Sequence, residues 1–503
     1  MSLSRNALAG IVQVSATGAL LFILYQYLAH ALGTEGIGLW SVIFAAANSS
    51  RLADFGFGVG IVKYVAHDVG AGRLAEARLS VVMAFVCALG FTALAASGLW
   101  LLSKPILQLA LNREEPVRAA MQIVPIALVS VWVASGAAVF LGALDGLNRI
   151  DLRAAITVGG SLVQLIAAWG LVPAYGVRGL ALGHFLQSCL VLLAAFVVLK
   201  MRLGSLFKDA APWSYARFTS MLRYGGGVQI AAIAQMTIDP LVRILLSRFG
   251  SLDLTGIYEM ATRLVYQART VLVAGYQAII PYVASVHGSG ENAHVKEIYE
   301  KSYALVCALG IPYFAIITAA LPAISHIWLG EMSDDFLWMG ALVTLTWATN
   351  ALIVPAYYVF LALGNVRWNA ISQIVSAATT LIFTAALGAR FGGYGVVVGA
   401  LLGVIAGALV VMIAFHKYQG IPLYRAVPRL GVVPALAAAA GLLMFLVLRS
   451  VMVKAWAVPV AVVAPLLLVV VTGFALFAWE PYVRSVIARV SRERWTAERK
   501  LED

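Results

Sequence analysis

Two stretches decide how this chain is read: GLWSVIFAAANSSRLADFGFGVGIVKYVAHDVGAG at residues 38–72 and GIYEMATRLVYQARTVLVAGYQAIIPYVASVHGSG at residues 256–290. Laid over each other without a gap, at a shift of 218, they set Gly38-Leu39-Trp40 on Gly256-Ile257-Tyr258. Ile61-Val62-Lys63-Tyr64-Val65-Ala66 meets Ile279-Ile280-Pro281-Tyr282-Val283-Ala284, Gly70-x-Gly72 meets Gly288-x-Gly290, and Arg51 falls on Arg269. A second match, shifted by 216, sets Tyr175-Gly176-x-x-Gly179 over Phe391-Gly392-x-x-Gly395 and continues to Gly183 and Gly399. Arg149 and Arg367 pair as well. Apolar helices match one another by chance, but several matches in one order at nearly one shift indicate an internal repeat.

The repeat is set in an apolar chain. Of 503 residues, 62% are apolar and 12% charged, where a soluble domain carries about half and about a quarter. That balance excludes water-soluble classes, coiled coils and disordered chains. At about 20 residues per crossing, fourteen spans can be marked. They cover residues 7–32, 37–66, 79–102, 117–144, 154–172, 177–199, 224–246, 254–286, 298–327, 336–363, 368–387, 393–415, 430–448 and 456–479. All are too long for barrel strands, and lipid leaves backbone groups no partner but a helix. The first span, interrupted by Gln13, Ser15 and Thr17, reads as an uncleaved helix despite Ala29-His30-Ala31.

Six spans separate equivalent positions, so the two halves run in the same direction. The expected fold is an all-α polytopic membrane protein of 14 transmembrane helices, with two parallel six-helix repeats around a central cavity and two C-terminal helices. The expected domains are an N-terminal lobe (1–200), a cytoplasmic linker (201–222), a C-terminal lobe (223–416), two additional helices (430–480) and a basic tail (481–503).

The net charge of +12 follows mainly from orientation. Counting span-end residues with the adjoining loop, 23 Lys/Arg fall on the side of the N-terminus and 8 on the other. The bias puts both termini in the cytoplasm, and a nucleic-acid role drops out. Trp100, Trp328, Trp338, Trp456 and Trp479 fall at span ends, where an indole suits the headgroup layer. Cys87, Cys189 and Cys307 lie far apart in apolar runs and read as packing residues. His30, His67 and His184 have no ligand spacing, so no metal is expected. Gly56-x-Gly58-x-Gly60 has no preceding strand and reads as a place where helix two loosens or another helix comes close. Gly225-Gly226-Gly227 and Pro240 are candidate bending points in the seventh span. The chain has no Walker A sequence and no nucleophile–base motif, so no cofactor and no enzymatic activity are expected.

Two six-helix repeats plus two helices, with Leu32-Gly33-Thr34-Glu35-Gly36-Ile37-Gly38-Leu39-Trp40, Asp54-Phe55-Gly56-Phe57-Gly58 and Lys63-Tyr64-Val65-Ala66, form a recognisable set. The chain resembles the polysaccharide and oligosaccharide flippases of the multidrug/oligosaccharidyl-lipid/polysaccharide exporter superfamily, over nearly its whole length. The resemblance implies alternating-access transfer of undecaprenyl-pyrophosphate-linked repeat units, O-antigen or exopolysaccharide, across a bacterial inner membrane. It also implies lipid-linked oligosaccharide and membrane lipids as partners, alongside a polysaccharide polymerase and chain-length machinery, and a prenyl-tail groove beside helices thirteen and fourteen. Alternatives from the same superfamily are a cation-coupled multidrug exporter and a flippase for lipid-linked peptidoglycan precursors. A membrane glycosyltransferase or ligase fits less well, because no outside loop has room for its catalytic motif.

Four arginines, Arg51, Arg243, Arg263 and Arg269, fall within spans, where a charge is costly unless paired or wetted. Asp239 with Arg243 and Glu259 with Arg263 are spaced i,i+4, and Arg51 has Asp54 at i,i+3. Arg269 has no acidic residue within two turns of its own helix. Arg243 fits a side chain that snorkels to a helix end. Arg51 and Arg269 lie about 20 Å from the outer helix ends at about 1.5 Å per residue, and the repeat sets them facing each other. Guanidinium suits phosphate through bidentate hydrogen bonds and a permanent charge. Arg51, Arg263 and Arg269 are therefore the expected pyrophosphate ligands. Some relatives bind sodium through a helix-seven carboxylate, which here points to Asp239 with Asn369 and Gln373, and Thr379 and Thr380 further along. Helix twelve has almost no polar group besides Tyr394, so coupling to Na+ or to H+ through Asp239 stays open.

Overall fold

A computed structural model describes residues 2–208, 210–274, 283, 292–365, 367–423, 432–451, 463–465 and 467–473. The chain divides into two compact units, Met1–Gln267 with Ser376–Gly403, and Ala268–Val375 with Val404–Asp503.

The first unit contains α1 (Ser2–Asn48), a 3-10 turn (Ser49–Asp54), α2 (Phe57–Gly70), α3 (Leu74–Ala110), α4 (Glu114–Gly146), α5 (Ile150–Tyr175), α6 (Val177–Leu203) and α7 (Tyr215–Phe249). It also holds most of α8 (Leu252–Ala274) and the middle of α12 (Arg367–Tyr418). The second contains α9 (Asn292–Leu329), α10 (Asp334–Leu352), α11 (Val354–Ala362), α13 (Val432–Val451) and the two ends of α12. Helix is the regular structure throughout the described residues, as expected for a polytopic membrane protein. Eight described stretches are long and apolar enough to cross a bilayer. Two of them hold two spans each: α1 breaks at Gly33 (φ 65°) and α12 at Gly392 (φ 65°). A side chain rarely adopts such a φ, so glycine marks the corner. α7 and α8 are less apolar than the other long helices because they carry the charges.

Equivalent glycines do equivalent work. Gly176 turns the chain between α5 and α6 at φ 56°, matching Gly392. A Cβ on Gly179 would stand 2.4 Å from the Leu171 carbonyl, and one on Gly395 would stand 2.1 Å from the Leu387 carbonyl. The α1–α8 crossing is reciprocal too. A Cβ on Gly38 would meet the Leu252 oxygen at 1.9 Å, and one on Gly256 would meet the Thr34 oxygen at 1.9 Å. Small residues allow this backbone-to-backbone approach. Likewise Gly142 of α4 lies where a Cβ would touch the Gly58 carbonyl at 2.4 Å, so the Gly-x-Gly-x-Gly segment is a close-approach site.

Several expectations change. The second span is broken: the 3-10 turn ends at Phe55 (φ 48°) and Gly56 (φ 72°), and α2 restarts beyond. α7 runs as one helix from Tyr215 to Phe249, so Gly225–Gly227 and Pro240 do not interrupt it. Trp328, at the end of α9 as expected, is buried at 1% exposure and edge-on to Phe336. The segment entering α7 is tied to the α2–α3 corner by Arg217, which bonds Asp68, Glu76 (2.8 Å) and Ser80 (2.8 Å). The basic tail, Trp456, Trp479, Gly288, Gly290 and most of the fourteenth span lie outside the described residues.

Candidate functional site

Within the first unit the charges gather around Glu259, whose side chain is 2% exposed. Its position on α8, one turn beyond Gly256, brings it to the crossing with α1. Oε2 accepts from Ser41 Oγ (3.1 Å) and from Arg243 Nε (2.9 Å) and Nη2 (2.7 Å). Oε1 accepts from Tyr25 Oη (3.0 Å) and Arg263 Nε (2.6 Å). Burying a carboxylate is costly unless its charge and lone pairs are met, and here they are.

The two arginines differ. Arg243, 7% exposed, is enclosed by Glu259, by Ser41 Oγ (3.0 Å) and by its own helix at the Asp239 carbonyl (3.1 Å). It does not snorkel, because its counter-charge is inside. Asp239 stands 3.6 Å from Arg243 with its side chain 61% exposed, so the i,i+4 pair exists but is the weaker contact. Arg263 is 38% exposed and bonded through Nε, and no described residue bonds its Nη1 or Nη2.

Arg51 sits in the 3-10 turn, half-buried, without an ion pair or hydrogen bond to any described residue. The expected partner Asp54 faces the backbone instead, accepting from Gly56 N at 2.6 Å. The carboxylate caps the left-handed corner and acts on Arg51 through its charge, without a hydrogen bond. Arg51 and Arg263, two of the expected ligands, both belong to the first unit, as does His184. His184 Nδ1 lies 2.9 Å from Ser130 Oγ, and its ring packs on Phe44 and Trp40.

Arg269 belongs to the second unit. Its Nε and Nη2 both bond Asn350 Oδ1, at 3.0 and 2.7 Å, and its guanidinium lies 4.8 Å from the Trp347 ring centre. A neutral amide and an aromatic face help hold the group in place. Next to this turn of α10, a cavity of about 450 Å³ opens between α9, α10 and α13, lined by Phe314, Trp338, Leu345, Ala348, Ala438 and Leu442. Of the expected coupling residues, Asn369 is buried near the start of α12, with Nδ2 donating to the Tyr357 carbonyl (3.0 Å) and Oδ1 without a partner among the described residues. Gln373 follows one turn later, half-buried, and both lie in the second unit while Asp239 lies in the first.

Tyr25, Ser41, Asn350 and Trp347 carry no charge and were not singled out by the sequence. The repeat holds a signal for two of them: the 218 shift sets Tyr25 on Arg243 and Ser41 on Glu259.

With this geometry in view, the sequence pattern of the MatE family matches residues 11–169. The chain is similar to a multidrug resistance MATE transporter of the MOP superfamily in its inward-facing conformation, with a TM-score of 0.72 and 14% identity, over 83% of this chain and 96% of that one. The chain has a MATE-type transporter fold. It is also similar to the lipid II flippase MurJ in an inward closed conformation, with a TM-score of 0.62 and 14% identity, over 91% of this chain and 99% of that one. A probable multidrug resistance protein NorM from Agrobacterium fabrum is 22% identical over 388 residues, 72% of this chain and 81% of its own length. The chain is a multi-pass membrane protein with this fold.

Proposed function

We propose that this transporter moves an anionic, pyrophosphate-linked lipid bearing a sugar across the bacterial inner membrane, as for O-antigen or exopolysaccharide units. The carrying observation is the Nη pair of the partly exposed Arg263, unbonded to any described residue, with Arg51 in the same unit. Phosphate is the anion best matched to such a fork. Arg269, in the second unit, is held by an amide and an indole. The apolar cavity, which includes Ala438 and Leu442 of α13, supports a place for a prenyl tail. In this reading both termini face the cytoplasm, the sugar polymerase acts downstream, and Asp239 provides Na+ or H+ coupling.

A second reading, cation-coupled multidrug export, draws on the MatE and NorM similarities and on the exposed Asp239 carboxylate. Against it, the buried Glu259 is fully engaged by two arginines and has nothing left for a cationic drug. Depleting the protein separates the two. A lipid-linked sugar accumulating on the inner leaflet supports the first reading, and an unchanged pool with altered dye efflux supports the second.

A further inference from the structure

Arg263 is held by one edge and open on the other. Its Nε rests on Glu259 Oε1 at 2.6 Å, while Nη1 and Nη2 bond no described residue. A guanidinium is a planar fork, so fixing one edge fixes the direction of the remaining N–H groups. Glu259 is itself fixed, because Tyr25, Ser41 and Arg243 fill its other lone pairs from α1 and α7. The charge of Glu259 is met by Arg243, which is almost wholly buried and has Asp239 on its other side.

We propose that Glu259 is a positioning residue: it anchors the Nε edge of Arg263 so that the Nη pair is presented, ready oriented, to a phosphate group. The proposal rests on the anionic-lipid reading. Arg243 keeps the carboxylate ionised without taking Arg263's place, so the two arginines divide the work. A side chain oriented in advance loses less freedom when the anion arrives. A carboxylate that already accepts from Tyr25, Ser41, Arg243 and Arg263 stays in place when phosphate binds. Glu259 and the ligand therefore hold Arg263 together rather than compete for it.

A double-mutant cycle on the full-length protein in detergent separates this role from a purely structural one, with farnesyl pyrophosphate as the calorimetric probe. Lysine has no second edge to anchor, so Arg263→Lys removes what Glu259 is proposed to act through. Glu259→Gln is expected to weaken binding about tenfold in the wild-type background and less than about twofold in the Arg263→Lys background. Equal losses in both backgrounds, or unchanged binding in Glu259→Gln while Arg263→Ala loses it, overturn the proposal alone. Absence of wild-type binding overturns the anionic-lipid reading and the proposal with it. If Glu259→Gln fails to fold, nitrogen-15 spectra of the wild-type arginine side chains decide. The Arg263 Nε–H is expected to stay protected from exchange when farnesyl pyrophosphate is added, and its loss of protection contradicts an anchoring Glu259.

Discussion

Ser41 and Glu259 stand 218 residues apart, occupy equivalent positions of the repeat, and share a hydrogen bond of 3.1 Å. The same shift relates Tyr25 to Arg243, and both of these also bond the Ser41–Glu259 pair. The crossing of α1 and α8 thus builds one polar centre from equivalent parts of both repeats. One half supplies two hydroxyls, and the other supplies the charges.

The crossing depends on two glycines. Gly38→Ala puts a methyl group 1.9 Å from a backbone carbonyl, which cannot turn away as a side chain can. A loss of about 2 kcal/mol is expected from such overpacking. In a helix where no atom lies within 4 Å, Gly159→Ala of α5 is the control and should be neutral or slightly stabilising. Thermal unfolding in detergent, followed by loss of the monodisperse peak, compares them.

Arg243 and Arg263 should separate in the same experiment. Arg243→Ala leaves a buried carboxylate with one cation instead of two, and removing one partner from a buried pair costs about 3 kcal/mol. Arg263→Ala should unfold nearer the wild-type temperature, since its side chain is partly exposed, yet lose anion binding. A larger stability loss in Arg263→Ala than in Arg243→Ala contradicts this division.

These distinctions show what was legible in the sequence. The fourteen spans and the repeat were readable because both rest on coarse constraints, apolar length and backbone approaches that admit no Cβ. Gly179 and Gly395 still carry that constraint. The i,i+4 rule found both ion pairs but not their ranking, since Arg243 meets Glu259 of another helix at 2.7 Å and Asp239 of its own at 3.6 Å. The i,i+3 spacing of Arg51 and Asp54 gives no sign that the carboxylate also accepts from Gly56 N at the left-handed corner. Tyr25 and Ser41 are neutral, and a neutral donor in an apolar span gives no signal until its partner is known.

In the second unit, Asn350→Asp tests whether Arg269 acts through its positive charge. The replacement keeps the geometry around Nε and Nη2 but adds a carboxylate. Transport is expected to fall as far as in Arg269→Ala, with the protein still accumulating in the membrane. Asn350→Ala should retain part of the activity. Normal transport by Asn350→Asp counts against an anion-binding role for Arg269.

Coupling is read at Asp239, whose carboxylate is exposed while Glu259 is consumed. Asp239→Asn is expected to uncouple transport from the Na+ or proton gradient and leave binding of the anionic lipid intact. A neutral Asp239→Asn phenotype, together with transport indifferent to sodium, removes both forms of coupling at this residue.

The central claim is that the site takes an anion. The most direct measurement is transfer in proteoliposomes containing the purified protein, comparing a fluorescent prenyl-pyrophosphate sugar with a cationic dye. The predicted result is transfer of the prenyl-pyrophosphate sugar, inhibited by inorganic pyrophosphate and abolished by Arg263→Ala. Transport of the cationic dye that requires Asp239, with the prenyl-pyrophosphate sugar left in its original leaflet, contradicts the account.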